Sequence, residues 1–193
     1  MASKGFFLVL EGIDGCGKTT IAKLLAKRLN TLVTKEPTRI SVAGKKIHAI
    51  LRHRQSAPKP TDFQKLYIQD RLEHIKNYIA PALAKNKIVI CQRYAMSTFA
   101  YGMAFGVSLQ AMRHDFLKPD MTFLLDLPAR LAMARIASRQ KAREYFEKKE
   151  KLEKIRKKYL ALAKKFDVKI IDARPSPQRI VDKIMDVIKA KEV

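Results

Sequence analysis

The sequence predicts an α/β fold, a parallel sheet with helices on both faces, and three observations predict it. Short apolar runs recur at Phe6–Leu10, Leu32–Lys35, Ile88–Cys91, Met121–Leu125 and Val168–Ile171, with helical periodicity between them. Such alternation yields parallel strands joined by crossover helices. Second, the first run is continuously apolar, as a strand buried on both faces must be. Third, the join between that run and the first helix reads Gly12-Ile13-Asp14-Gly15-Cys16-Gly17-Lys18-Thr19-Thr20.

That join has the spacing of a phosphate-binding loop: glycine, four residues, then Gly-Lys-Thr. Successive backbone N–H groups in such a loop curl round phosphate oxygens, and the glycines let the backbone approach closely. The lysine reaches the β- and γ-phosphates, and the threonine hydroxyl helps to hold Mg²⁺. The context is the required one, with a buried strand before the loop and a helix, Thr19–Leu29, after it, closing at Asn30. Further helices are expected at Val42–Arg52, Asp62–Ile79, Ser97–Ala104, Leu109–Phe116, Arg130–Ser138, Glu144–Phe166 and Pro177–Ala190. Thr61 or Asp62 is suited to cap the third helix, and Ser176 with Pro177 to start the last.

In open parallel sheets, ligands sit at the carboxyl ends of the strands. The residues to inspect are Gly12–Thr20, Glu36-Pro37-Thr38-Arg39, Gln92-Arg93-Tyr94, Asp126 and Asp172-Ala173-Arg174. Basic residues follow three of these strands, so the crevice is suited to more than one anionic group.

Composition narrows the class. A chain of 193 residues with 47% hydrophobic content reads as one domain, residues 1–193, with no repeat or low-complexity tract. No stretch is long and apolar enough to cross a bilayer, and the first apolar run stops at Glu11, too early for a signal peptide. Cys16 and Cys91 have no metal-ligand spacing, and a reducing, cytoplasmic compartment is the simple reading. The formal net charge is +22. It suits attraction of nucleotides or a Lys-rich thermophile-like surface; a nucleic-acid-binding role lacks any aromatic-basic RNA motif. Much of the excess lies between Lys141 and Lys165, on a helix whose apolar positions are Leu152, Ile155, Tyr159, Leu162 and Phe166.

Beyond the loop, several segments occur in a familiar order. These are Lys35-Glu36-Pro37-Thr38-Arg39, Tyr67-Ile68-Gln69-Asp70-Arg71, Ile79-Ala80-Pro81-Ala82-Leu83, Arg93 to Tyr101, and Lys118 to Asp126. With the loop, they make the chain, from about Gly5 to Asp172, resemble the thymidylate kinase family of P-loop nucleoside monophosphate kinases. The resemblance implies a P-loop NTPase three-layer sandwich, with a five-stranded sheet in the order 2-3-1-4-5 and a lid at about 135–150. It implies phosphorylation of dTMP to dTDP with ATP and Mg²⁺, usually by a homodimer. Kinases of dUMP, UMP, dCMP or thymidine are the alternatives, and a nucleic-acid-binding P-loop ATPase is a more distant one.

The same resemblance implies roles. ATP would lie on Gly12, Ile13, Asp14, Gly15, Cys16, Gly17, Lys18, Thr19 and Thr20, with Arg135, Ala173 and Arg174 at the adenine; Thr19 and Asp14 would organise the metal. Arg39 and Arg93 would grip the acceptor phosphate, since a planar guanidinium suits bidentate contact. Tyr67 would stack on the base, Arg71, Ser97 and Thr98 would hydrogen-bond it, and Tyr101 would press on the sugar. Arg135, Arg139, Lys141 and Arg143 would form the lid, and because the loop has no arginine between Gly12 and Lys18, the expected catalytic cation moves to the lid arginines, Arg139 or Arg143, beside Lys18, Arg93 and Asp14. Arg71 has a plainer alternative, a pair with Glu73 or another helix carboxylate.

Two departures from the family pattern stand out. Gln92 occupies the place of an aspartate, which removes a charge near the metal and leaves Asp14 and Glu11 as the carboxylates to compensate. Glu36-Pro37-Thr38-Arg39 lacks a glycine pair common in bacterial members, so the loop carrying Arg39 is expected to run differently and selectivity to be broader.

Overall fold

The computed structural model describes residues 5–52, 56, 58–138, 146 and 148–191. Five parallel strands form one sheet: β1 (Phe6–Glu11), β2 (Leu32–Lys35), β3 (Ile88–Gln92), β4 (Met121–Asp126) and β5 (Lys169–Asp172), in the order β2-β3-β1-β4-β5. This is the expected order. In register, Leu8 of β1 stands beside Ile90 of β3 and Met121 of β4.

The continuous apolar character of β1 follows from its place at the centre. Leu8 and Leu10 point to one face and join the large core, while Phe7 and Val9 point to the other and pack with Val89, Cys91 and Tyr94. Edge strands have less to bury, and Leu32 of β2 and Ile170 of β5 are exposed.

The helices are α1 (Lys18–Leu29), α2 (Val42–Leu51), α3 (Pro60–His74), α4 (Ala80–Ala84), α5 (Ala95–Ala104), α6 (Leu109–Met112), α7 (Ala129–Ala137), α8 (Lys149–Ala163) and α9 (Pro177–Lys191). Asn30 closes α1 in the left-handed conformation, with its N–H on the Ala26 carbonyl. The expected helix Asp62–Ile79 starts earlier, at Pro60 with Lys59 as its cap, because the N–H groups of a first turn have no intrahelical partner and proline, lacking an N–H, leaves one fewer to satisfy. It also runs on through a wider π turn, Ile75–Ile79, into α4, where Pro81 sits in the first turn. The expected helix to Phe116 stops at Met112, and its last predicted residues are extended or irregular. Of the expected helix Glu144–Phe166, the described part is Lys149–Ala163; Glu144 lies outside the described residues. Among the described residues, no helix is long and apolar enough to cross a membrane.

Helix α8 packs its apolar face, Leu152, Ile155, Tyr159 and Leu162, into the core and sends one hydroxyl to the buried centre of the molecule. Tyr159, buried on its apolar face, places its OH 3.1 Å from Glu11 Oε2 and 2.7 Å from Ser97 Oγ. Replacing Tyr159 with Phe should leave two buried polar groups short of a partner and destabilise the fold by about 1–3 kcal/mol, read as a lower urea midpoint with unchanged helical circular dichroism.

Candidate active site

The loop after β1 has the conformation its glycines permit. Gly12 and Gly15 have φ of +137° and +82°. A Cβ on Gly12 would lie 2.6 Å from the Leu125 carbonyl oxygen, and one on Gly15 2.5 Å from that of Ala132, so α7 and β4 close directly on the loop. Lys18 folds back along it, donating to the Gly12 and Ile13 carbonyls at 2.8 Å each. Burial, followed by repulsion from Arg93, draws the Lys18 pKa below its ordinary value. The Thr19 hydroxyl donates to Gln92 Oε1 at 2.8 Å.

Across the loop stands Arg93, in the left-handed region at φ +67°, where non-glycine residues are uncommon. Its N–H holds the Leu10 carbonyl at 2.9 Å, and its guanidinium pairs with Asp14, donates to the Gly12 carbonyl at 3.3 Å and covers the Tyr101 ring. Tyr101 in turn donates to the other Asp14 oxygen at 3.0 Å. Burial alone would raise the Asp14 pKa, but Arg93, Lys18 and these hydrogen bonds outweigh it and hold the carboxyl below the ordinary range. Both oxygens of the expected metal carboxylate are therefore engaged by Arg93 and Tyr101.

Glu11 is not available to a metal either. It is fully buried and accepts from the Tyr94 N–H at 2.9 Å, the Ser97 N–H at 3.0 Å and the Ser97 hydroxyl at 2.5 Å, besides Tyr159. Glu11 therefore does not give the expected compensation for Gln92: its oxygens cap the start of α5. Burial raises its pKa despite these donors. Ser97, which faces the same cavity, is thereby committed to Glu11 and Tyr159 as well as receiving Arg93 Nη1 at 3.4 Å.

The second half of the site is built by α3 and the loop after β2. Arg71 is 1% exposed and pairs with Glu36 at 2.8 Å, not with Glu73. Its Nη2 reaches Thr98 Oγ1 at 3.0 Å, its guanidinium carbon lies 5.0 Å from the Tyr94 ring centroid and 4.8 Å from that of Phe116, and its Nη1 is buried with no partner. Glu36 also meets His74 Nδ1 at 3.1 Å, and His74 Nε2 meets the Thr34 hydroxyl at 2.7 Å. Asp70 receives the Thr38 N–H at 2.7 Å and the Thr38 and Ser41 hydroxyls at 2.5 Å. That clamp sets the course of the Glu36–Arg39 loop without glycines and leaves Arg39 exposed at the cavity.

A cavity of about 240 Å³ joins the two halves. Lys18, Thr19, Gln92 and Arg93 line it on the loop side, Lys35, Arg39 and His48 on another, and Gln64, Tyr67, Thr98, Tyr101 and Phe146 on the rest. Arg135 lies beside the loop, near Gly17, and donates to the Ala173 carbonyl at 3.0 Å, so these two expected adenine-side residues are neighbours. Arg174 turns instead to Asp172, at 2.8 Å. Asp126 is held by Arg156 through two hydrogen bonds of 2.7 and 2.9 Å. Arg139, Lys141 and Arg143 lie outside the described residues. Sequence reasoning passed over Gln64, His48 and Phe146, which face the cavity, and Asp70 and His74, which brace it. Phe146, half of an aromatic pair with Tyr145 in a Lys- and Glu-rich stretch, carried a visible signal; the others needed the tertiary contacts.

A phosphate loop at the end of a central parallel strand, facing a second cation-lined subsite across one cavity, defines a P-loop phosphotransferase acting on small anionic acceptors. The family model described as "Thymidylate kinase" matches residues 10–184. The chain is 37% identical over 198 residues to a probable thymidylate kinase of Pyrococcus abyssi, spanning 96% of this chain and 97% of that one. It is 40% identical over 199 residues to a probable thymidylate kinase of Pyrococcus horikoshii, with the same coverage. Among solved structures, the fold matches thymidylate kinase from Candida albicans at a TM-score of 0.84 and 22% identity, covering 100% of this chain and 94% of that one. The chain belongs to the thymidylate kinase family.

Because Asp14 is held ionised by its neighbours, its contribution to stability should be full above the ordinary carboxylate pKa of 3.8 and vanish as pH falls through its lower native value. Urea unfolding of wild type and Asp14→Asn should therefore diverge at neutral pH and converge in acid.

Proposed function

We propose that the chain phosphorylates dTMP with ATP, Lys18 and the loop amides holding the donor and Arg93 and Arg39 the acceptor phosphate. The observation that carries this is the pairing of two subsites in one cavity, the Lys18 loop on one side and Glu36, Tyr67 and Thr98 on the other, with the buried Arg71 bonded to both Glu36 and Thr98. In the transfer, an acceptor phosphate oxygen attacks the γ-phosphorus and the bond to the β–γ bridging oxygen breaks, releasing ADP. A monophosphate oxygen is already anionic, so no tuned general base is required, and the protein supplies position and positive charge. Ligand phosphate would draw Lys18 from the two carbonyls it now holds. Arg93 is presented toward the loop by its left-handed backbone, and Asp14 and Tyr101 set its direction.

Thr19 suits a metal: its proton goes to Gln92, which leaves its oxygen lone pairs for a cation. When bound, Mg²⁺ would neutralise charge on the β- and γ-phosphates. The unexpected Gln92 thus orients a ligand without adding charge. Arg139 or Arg143 would supply the further cation, Arg71 and Thr98 the base contacts, and Tyr67 a stacking surface. The family resemblance supports a homodimer working in the cytoplasm, with residues of about 135–150 covering the donor.

A coupled assay of ADP release across dTMP, dUMP, UMP, dCMP and thymidine should show turnover strongest with dTMP; absence of dTMP turnover would sink the reading. Lys18→Ala should lower turnover by about a hundredfold or more, by analogy with loss of a charge-stabilising donor, at unchanged thermal stability. Gln92→Asp should raise turnover and lower the Mg²⁺ concentration needed for half-maximal rate; a folded variant with neither change would contradict the role given to Gln92.

A further inference from the structure

Three buried polar side-chain atoms among the described residues lack a hydrogen-bond partner: Thr31 Oγ1, Gln64 Oε1 and Arg71 Nη1. Thr31 lies apart from the cavity, and Arg71 belongs to the base side already described. Gln64 is different. It is 3% exposed, lines the cavity and stands one turn before Tyr67 on α3. A buried amide oxygen without a donor is costly, and an apolar side chain of the same length would avoid that cost. A polar group kept there has a use when the cavity is filled.

Its position narrows the use. Helix α5 runs close beside its stem, since a Cβ on Gly102 would lie 3.2 Å from Gln64 Cγ. Two turns further along α3, Arg71 with Glu36 and Thr98 marks the base end of the acceptor site. Tyr101, beside Gly102, reaches Asp14 in the phosphate loop and marks the other end. Gln64 therefore faces the stretch between base and phosphate, where a nucleotide carries its sugar. A hydroxyl both donates and accepts, so it satisfies the amide in either orientation about its terminal torsion.

We infer that Gln64 is a specificity residue of the acceptor site whose carboxamide hydrogen-bonds a sugar hydroxyl, the 3′-hydroxyl of a deoxynucleotide or the 2′-hydroxyl of a ribonucleotide. This rests on the reading of the cavity as a nucleoside monophosphate site. The contact acts in binding and leaves the transferring group untouched, so it belongs to KM more than to kcat.

The test compares wild type, Gln64→Leu and Gln64→Asn with dTMP, ribothymidine monophosphate and 2′,3′-dideoxythymidine monophosphate. Gln64→Leu should raise the KM by about tenfold, with kcat nearly unchanged, for each acceptor that carries the contacted hydroxyl, and should leave the KM for the dideoxy acceptor as it is in wild type. Gln64→Asn, which keeps the amide but withdraws it, should show the same pattern and covers a Leu variant that fails to fold. A penalty equal for dTMP and the ribonucleotide assigns the 3′-hydroxyl; a penalty confined to the ribonucleotide assigns the 2′-hydroxyl. In the absence of ligand, Gln64→Leu should unfold at the same urea concentration or higher, because it removes an unsatisfied group. Equal penalties for all three acceptors, or no penalty for any, would overturn the inference while leaving the kinase reading intact. Wild type inactive on all three would overturn both.

Discussion

The arrangement of the whole site depends on one buried carboxylate. Glu11 ends β1, and helix α5 begins without a side-chain cap of its own. Glu11 supplies that cap from a different strand, accepting the Tyr94 and Ser97 N–H groups and the Ser97 hydroxyl. An anion at a helix N-terminus is favoured by the unpaired donors and the helix dipole. The Tyr159 hydroxyl completes its shell and brings in α8. The price is burial of charge, visible as a raised pKa, and four donors are what offset it. The consequence is positional: β1 leads into the phosphate loop, and the turn between β3 and α5 carries Arg93, so the carboxylate that joins them sets the distance between donor and acceptor halves.

From that junction the electrostatics follow. Asp14 balances Arg93, Glu36 balances Arg71, and Asp70 is filled by the amide and hydroxyl donors of the neighbouring loop. Carboxylates in the site are thus assigned to holding cations and backbone in place. Lys18 rests on carbonyl dipoles of its own loop, and Arg39 and Lys35 face the cavity. The chain's net charge of +22 resides mostly elsewhere, but within the cavity the same logic holds locally: anions are welcome and the fixed acids do not compete for the cations that would meet them.

Much of this was legible in the residues. The central strand had to be apolar throughout because it is covered on both sides, and the glycines at Gly12 and Gly15 had to be glycines because carbonyls of β4 and α7 stand where a Cβ would go. The strand-end rule pointed to Lys18 and Arg93, and Tyr67 and Arg71 were picked out through the family resemblance. Less legible was partnership. Glu11 and Asp14 looked alike as acids beside a phosphate loop, and nothing local told that one caps a helix while the other aims an arginine. The continuation of α3 through a π turn into α4 was hidden by Pro81, which reads as a stop but is tolerated in a first turn.

Hydrophobic period and glycine spacing are local properties, and they sufficed for the strand–loop–helix unit, the parallel sheet and the kind of ligand that meets Lys18. The strand order came from resemblance, since crossover connections of similar length allow several arrangements. The partners of each buried polar group lie far along the chain, as with Glu11 and Tyr159 or Glu36 and Arg71, and only packing brings them together. For the same reason Gln64 reads in the chain as an ordinary polar residue on a helix, and becomes an unsatisfied amide only once α3 and α5 close over it.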